Sequence, residues 1–120
     1  MLPDKRPRVM IVDDDEDIRD ALTMLFQQHG FDIKLAADGA EAIELLETGF
    51  TPSVIFVDLL MPGIVGQELL EYLKSDDRFI GVPIAIVSAS PQLAPPGYAV
   101  FPKPVKAKEL IDFASATACA

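Results

Sequence analysis

Short apolar runs alternate along the chain with longer segments in which hydrophobic residues recur every three or four positions. Apolar residues at consecutive positions over a strand's length are typical of parallel β-strands that are covered on both faces. Five short segments are predicted to be strands, at residues 8–13, 32–36, 53–58, 83–88 and 98–101, and the first, third and fourth of them have this consecutive apolar pattern.

The segments between the strands have the period of amphipathic helices. One helix is predicted from residue 16 to His29, a second from Asp38 to about Gly49, a third from Gly66 to Ser75, and a last one around 110–114. Strands that alternate with helices form a parallel sheet with right-handed crossovers. We therefore predict an α/β fold with a doubly wound, five-stranded parallel sheet.

Composition narrows the class of protein. The chain has 120 residues, half of them hydrophobic, which suits one domain over residues 1–120. We expect residues 1–7 to be an N-terminal extension and residues 115–120 to be frayed. Nineteen acidic against ten basic residues give a net charge of −9, which argues against direct nucleic-acid binding.

Cysteine usage and the N-terminal sequence bear on the cellular compartment. Cys119 is the single cysteine, so no internal disulfide can form, and a reducing, cytoplasmic location is expected. The apolar stretch near the N-terminus is too short for a signal peptide or a membrane span. We therefore expect no membrane association.

Chemically active side chains follow several of the predicted strands. Asp13 and Asp14 follow the first strand, Asp58 ends the third, Ser88 ends the fourth, and Lys103 lies just past the fifth. Because the carboxyl ends of parallel strands open on one edge of a sheet, we expect these side chains to converge. Three carboxylates, a hydroxyl and an amine suit phosphoryl transfer to a carboxylate, with Mg²⁺ held by oxygen ligands.

Four motifs resemble the receiver domain of two-component response regulators. They are Ile11-Val12-Asp13-Asp14-Asp15, Val57-Asp58-Leu59-Leu60-Met61-Pro62 with Gly66, Ile86-Val87-Ser88-Ala89, and Lys103-Pro104. They occur in the family's order and cover nearly the whole chain. The resemblance implies the flavodoxin-like fold of the chemotaxis regulators, with strand order 2-1-3-4-5.

The resemblance also assigns a metal site. Asp58 would be both phosphoacceptor and metal ligand, Asp14 would bind Mg²⁺ directly, and Asp13 would bind it largely through water. The backbone carbonyl of Leu60 would add a further ligand. Mn²⁺ is an alternative cation.

The remaining roles follow from the same resemblance. Ser88 and Lys103 would contact the phosphoryl oxygens, and the Lys103-Pro104 bond would be cis. A histidine kinase or a histidine phosphotransfer protein would be the donor, and phosphorylation would switch the interaction with a downstream protein. Such a module is not a turnover enzyme, since it only catalyses its own phosphorylation and dephosphorylation. Homodimerisation is left open.

One departure from the family lies between the fourth and fifth strands. Nine residues, 89–97, stand where receivers carry a full helix, and three of them are proline and one is glycine. We predict that the fourth helix is shortened or missing. Either an apolar part of the sheet is then exposed as a partner surface, or Leu93 and the prolines cover it.

A second departure concerns the aromatic residue that receivers usually carry three positions before the lysine. That position is Val100, and the neighbouring Phe101 should face the opposite side of the sheet unless Pro102 forces a bulge. The usual switch is therefore not expected in its ordinary form.

Two alternatives remain beside the phosphoacceptor receiver. One is a pseudo-receiver that acts as a phosphorylation-independent docking module, against which the complete set of site residues counts. The other is a flavodoxin-like or haloacid-dehalogenase-like enzyme. The absence of a glycine-rich phosphate loop after the first strand counts against this second alternative.

Overall fold

A computed structural model describes residues 6–58 and 66–118. Five parallel strands form one sheet in the order β2-β1-β3-β4-β5. The strands are β1 Arg8–Val12, β2 Asp32–Ala36, β3 Val54–Asp58, β4 Ile84–Ser88 and β5 Ala99–Pro102. The helices are α1 Glu16–Gln28, α2 Gly39–Glu47, α3 Gly66–Ser75 and α4 Ala107–Ala118. The predicted sheet, its order and its helices are confirmed, with strand ends shifted by at most one residue.

The helix boundaries have local causes in the sequence. Asp15 caps α1 by accepting hydrogen bonds from the backbone N–H groups of Asp17 and Ile18, and Asp38 caps α2 through the N–H of Glu41. After α1 the chain turns at Gly30, whose φ of 85° suits glycine best because it has no Cβ. The predicted starts of both helices, and the predicted stop of α1, therefore correspond to caps and a turn in the structure.

Hydrophobic side chains cover both faces of the sheet. One core cluster lies between the sheet and α2 with α3, and includes Met10, Val57 and Ile86. The other lies between the sheet and α1 with α4, and includes Val9 and Phe56. β3 is buried at all five positions, as expected of a central parallel strand.

The connection between β4 and β5 contains no α-helix. A single 3-10 turn, Pro91–Leu93, replaces the helix, which confirms the prediction of a shortened or missing crossover helix. The Leu93 side chain is 61% exposed, so it does not cover the sheet. Ala94 and Tyr98 instead pack against the core cluster, and Lys74 Nζ of α3 lies 5.7 Å from the centroid of the Tyr98 ring. The face is thus covered in part by Ala94 and Tyr98, and not by Leu93.

Val100 and Phe101 on β5 face opposite sides of the sheet. Val100 packs against the cluster on the side of α2 and α3, whereas Phe101 packs against the cluster on the side of α1 and α4. The Phe101 ring centroid lies 5.6 Å from that of Phe113 and 6.4 Å from that of Phe56, in edge-on arrangements. Strand alternation therefore holds through Pro102 without a bulge that redirects Phe101.

The segment before β1 is tied to β2, and the last helix runs further than predicted. Arg6 and Pro7 precede β1, and the Pro7 carbonyl accepts a hydrogen bond from the backbone of Asp32. At the other end, α4 continues through Ala118, so four of the six residues predicted to be frayed are helical. Within the described residues, none of the helices combines the length and the apolar character that crossing a bilayer requires.

Candidate functional site

Three carboxylates meet at the carboxyl edge of the sheet. Asp58 is the last residue of β3, and Asp13 and Asp14 follow β1, the strand that pairs with β3. Their carboxylate oxygens can all lie within 4.8 Å of one another. Asp13 and Asp58 are buried, whereas Asp14 is exposed, so the cluster is accessible from solvent on one side. The predicted convergence of these three residues is confirmed.

Lys103, just past β5, reaches the carboxylates across the carboxyl end of β4. Its Nζ atom lies 2.8 Å from Asp58 Oδ2 and 3.3 Å from Asp13 Oδ2. Burial lowers the pKa of Lys103, but the hydrogen bond and charge of Asp58 and the charge of Asp13 outweigh it, and the net pKa is raised. The amine is therefore a cation held between two buried acids.

Asp13 is fixed by several contacts. Its Oδ1 atom accepts a hydrogen bond of 2.9 Å from the backbone N–H of Asp15, and its own N–H donates to the carbonyl of Ala36 on β2. Burial raises the pKa of Asp13; the Asp15 N–H and the Lys103 charge lower it, and the Asp58 charge adds to the rise. Burial, the main cause of the raised pKa, disfavours the charged form of Asp13, and a bound cation would favour that form.

Ser88 ends β4 beside this cluster. The sheet register pairs Asp58 with Val87, so Ser88 lies one residue beyond the partner of Asp58. Ser88 is buried, its Oγ accepts a hydrogen bond from the N–H of Ser90, and its carbonyl accepts one from the N–H of Lys103. The serine and the lysine are thus linked through the backbone, and the Lys103-Pro104 peptide bond is cis, as expected.

One predicted ligand cannot be placed. The backbone carbonyl of Leu60 lies outside the described residues, as do Met61 and Pro62 of the same motif. The assignment of Leu60 therefore stays a prediction.

Arg19 belongs to the site although no motif marked it. Its guanidinium Nη1 donates a hydrogen bond of 2.7 Å to the main-chain carbonyl of Asp13. The available signal was its position one turn beyond the cap residue Asp15, since a helical residue four positions after the cap lies on the same side of the helix. The hydrogen bond itself depends on the shape of the loop between β1 and α1, which the sequence pattern does not specify.

The donor set suits a hard divalent cation. Carboxylate oxygens are the ligands that Mg²⁺ prefers, and Mg²⁺ typically keeps several waters beside one or two carboxylates. Exposed Asp14 leaves room for such waters, and buried Asp13 and Asp58 supply negative charge. The residues present therefore fit Mg²⁺ or a similar cation such as Mn²⁺.

Comparison with known families decides the classification. The family model described as "Response regulator receiver domain" matches residues 9–114 of this chain. The chain belongs to the response regulator receiver family. The match includes all five site residues and the shortened crossover, so this receiver has the family's fold without a helix between β4 and β5.

Curated relatives of the receiver are regulators of greater length. The chain is 37% identical over 87 residues to the regulator of RpoS from Escherichia coli, covering 72% of this chain and 25% of that protein. It is 32% identical over 84 residues to the DNA-binding response regulator MtrA from Mycolicibacterium smegmatis, covering 70% of this chain and 35% of that protein. The chain thus spans about a third or less of the length of these relatives.

Solved receiver structures have the same architecture. The receiver domain of the Francisella response regulator 1452 superposes with a TM-score of 0.80 at 30% identity, covering 95% of this chain and 98% of that one. The receiver domain of the hybrid histidine kinase CckA gives a TM-score of 0.78 at 28% identity, covering 92% of this chain and 98% of that one. The chemotaxis protein CheY4 of Vibrio cholerae gives 0.81 at 22% identity, covering 93% and 98%, which supports the fold alone.

Proposed function

We propose that this receiver accepts a phosphoryl group on Asp58 in a Mg²⁺-dependent reaction. The observation that carries the proposal is the position of Asp58, which is buried at the end of β3 among Asp13, Asp14 and the Lys103 amine. A carboxylate held in this way is a nucleophile whose surroundings can stabilise the charge of a transferring phosphoryl group.

The residues divide the chemistry between them. Asp13, Asp14 and Asp58, with the Leu60 carbonyl, would hold Mg²⁺, which neutralises phosphoryl charge when bound. An Asp58 oxygen attacks phosphorus, and the bond between phosphorus and the donor's leaving atom breaks. Lys103 then exchanges its contact with the carboxylate for one with a phosphoryl oxygen, and the Ser88 hydroxyl donates a hydrogen bond to another.

The donor and target follow from the family. A histidine kinase or a histidine phosphotransfer protein would be the donor, which implies a cytoplasmic location, and phosphorylation would switch a contact with a downstream protein. Some relatives are DNA-binding regulators by name. The net charge of −9 argues that this chain's own residues do not bind nucleic acid directly. The only chemistry proposed is phosphorylation and dephosphorylation of the receiver itself, without turnover of a separate substrate.

Incubation with Mg²⁺ and acetyl phosphate, followed by intact-mass measurement, tests the proposal. We expect one phosphoryl adduct on the wild-type chain, none when Mg²⁺ is removed by chelation, and none on Asp58→Ala. Asp112→Ala is a matched control, since Asp112 is an exposed carboxylate on α4 paired with Lys108, and it should be phosphorylated like the wild type. A wild-type chain that forms no adduct would instead favour the docking module that acts without phosphorylation.

A further inference from the structure

Arg19 connects α1 to the backbone of the acidic site. It is half-buried, it lies one turn into α1, and its Nη1 atom is 2.7 Å from the main-chain oxygen of Asp13. A hydrogen bond from a guanidinium to a carbonyl is charge-assisted and stronger than a neutral one. Arg19 is therefore a firm anchor for that carbonyl.

The anchored carbonyl controls the direction of the next residue. The peptide group that contains the Asp13 carbonyl also contains the N–H of Asp14, so a fixed carbonyl fixes the plane from which the Asp14 side chain leaves. On the other side, the Asp13 N–H is already held by the Ala36 carbonyl at 3.0 Å. Both peptide groups of Asp13 are therefore held, so Asp13 has little freedom to rotate and the direction in which the backbone enters Asp14 is fixed.

The same contact places a positive charge 2.7 Å from the main-chain oxygen of Asp13, next to the acidic site. If charge were the main effect of Arg19, the guanidinium would repel a divalent cation, and its removal would strengthen cation binding. If orientation is the main effect, its removal lets the Asp14 carboxylate rotate away and weakens cation binding. The two roles therefore predict changes of opposite sign.

We propose that Arg19 is a positioning residue for the cation site, acting through the Asp13 carbonyl to orient Asp14. This inference rests on the proposed binding of Mg²⁺. Partners that orient metal ligands typically change metal affinity by about 10–100-fold when they are mutated. Because the lost repulsion offsets part of the effect, we expect Arg19→Met to weaken Mg²⁺ binding by about 3–10-fold.

The test is a titration of the full chain with MgCl₂ at constant ionic strength, followed by the amide signals of the β1–α1 loop in NMR spectra. Arg19→Met removes both the charge and the donor but keeps a long apolar stem. Arg19→Lys keeps the charge and N–H donors on a shorter side chain, so it should recover part of the lost affinity. Thermal unfolding of each variant without Mg²⁺ checks that the variant is folded.

Arg78→Met is the matched control. Arg78 likewise donates a hydrogen bond to a main-chain carbonyl, that of Leu46, but it lies in a second 3-10 turn, Asp77–Phe79, which precedes β4 and is away from the carboxyl edge. We expect this variant to lose stability and to keep the wild-type Mg²⁺ affinity.

The outcomes separate the inference from the proposal on which it rests. Wild-type affinity in Arg19→Met, or tighter binding, overturns the positioning role while leaving the metal site intact. A loss of affinity in Arg78→Met equal to that in Arg19→Met also overturns it, because general destabilisation would then be the cause. Absence of Mg²⁺ binding by the wild-type chain contradicts the metal site and the inference together.

Discussion

The amine of Lys103 lies 2.8 Å from the carboxylate of Asp58, although 45 residues separate them and β4 lies between their strands. The contact crosses the carboxyl edge of the sheet from the end of β5 to the end of β3. It places a cation at the atom proposed to accept the phosphoryl group. The contact between Lys103 and Asp58 depends on the strand order, which brings the ends of β3 and β5 to the same edge of the sheet. The fold and the proposed chemistry therefore depend on each other.

Lys103→Met removes this cation while keeping most of the side-chain volume. Since loss of one preorganised charge-stabilising group typically costs about 10²–10³-fold in rate, we expect phosphorylation by acetyl phosphate to slow by about 10²-fold. The rate is measured from the growth of the phosphoryl adduct in intact-mass spectra. Lys108→Met is the control, because Lys108 is an exposed lysine paired with Asp112 on α4. A rate in Lys103→Met equal to that of the control would exclude a direct role for Lys103.

Asp13→Asn should stabilise the receiver at neutral pH without Mg²⁺. The folded state raises the pKa of Asp13, chiefly through burial. Below the ordinary value of 3.8 the carboxyl is protonated in both states, so its ionisation does not lower the free energy of unfolding. As pH rises through the raised pKa, the unfolded state loses its proton first, and stability is lost. The stabilising effect of Asn should therefore be largest near pH 7 and should shrink as pH falls toward 3.8.

Urea unfolding of both proteins at several pH values measures this effect. Asp15→Asn is the matched control, because Asp15 is exposed and asparagine caps a helix about as well as aspartate. We expect it to change the free energy of unfolding by less than about 0.5 kcal/mol. A gain for Asp13→Asn that is independent of pH would contradict the explanation by ionisation.

Mg²⁺ should stabilise the folded receiver through the three carboxylates. A ligand that binds only the folded state at ten times its dissociation constant adds about 1.4 kcal/mol to the free energy of unfolding. Thermal unfolding should therefore shift upward with MgCl₂ and return after chelation. Asp14→Asn should lose most of this shift, whereas Asp20→Asn, at an exposed position on α1, should keep it. Equal shifts in both variants would place the bound cation elsewhere.

The two apolar residues Leu93 and Phe101 should differ strongly in their contribution to stability. Leu93 is 61% exposed, so Leu93→Ser should change the free energy of unfolding by less than about 0.5 kcal/mol. Phe101 packs edge-on against Phe56 and Phe113. Because it is only half-buried, Phe101→Ala should cost about 2–3 kcal/mol, below the range for fully buried phenylalanines. A cost above about 1.5 kcal/mol for Leu93→Ser would mean that the shortened crossover is part of the core.

Most of the fold could be predicted from local patterns, because short apolar runs indicate buried strands and a period of three to four residues indicates helices. The convergence of Asp13, Asp58 and Lys103 could also be predicted, since parallel strands share a carboxyl edge. The opposite orientations of Val100 and Phe101 followed from strand alternation alone.

Other features depend on contacts between distant parts of the chain. Three prolines predicted the loss of a helix between β4 and β5, but which side chains cover the sheet depends on how α3 lies beside the crossover. Leu93 was a natural choice by hydrophobicity, yet Ala94 and Tyr98 make the contacts. Arg19 was missed for a similar reason, because its hydrogen bond ends on a carbonyl whose direction is set by the loop after β1.

Locating the phosphoryl group tests the central claim most directly. The receiver is treated with acetyl phosphate and Mg²⁺, the acyl phosphate is reduced with borohydride to convert the modified aspartate to homoserine, and peptides are sequenced by mass spectrometry. Homoserine at position 58, formed only when Mg²⁺ was present, is the result that our account predicts. Homoserine at Asp13 or Asp14 with an unmodified Asp58, or its absence from all three positions, would contradict it.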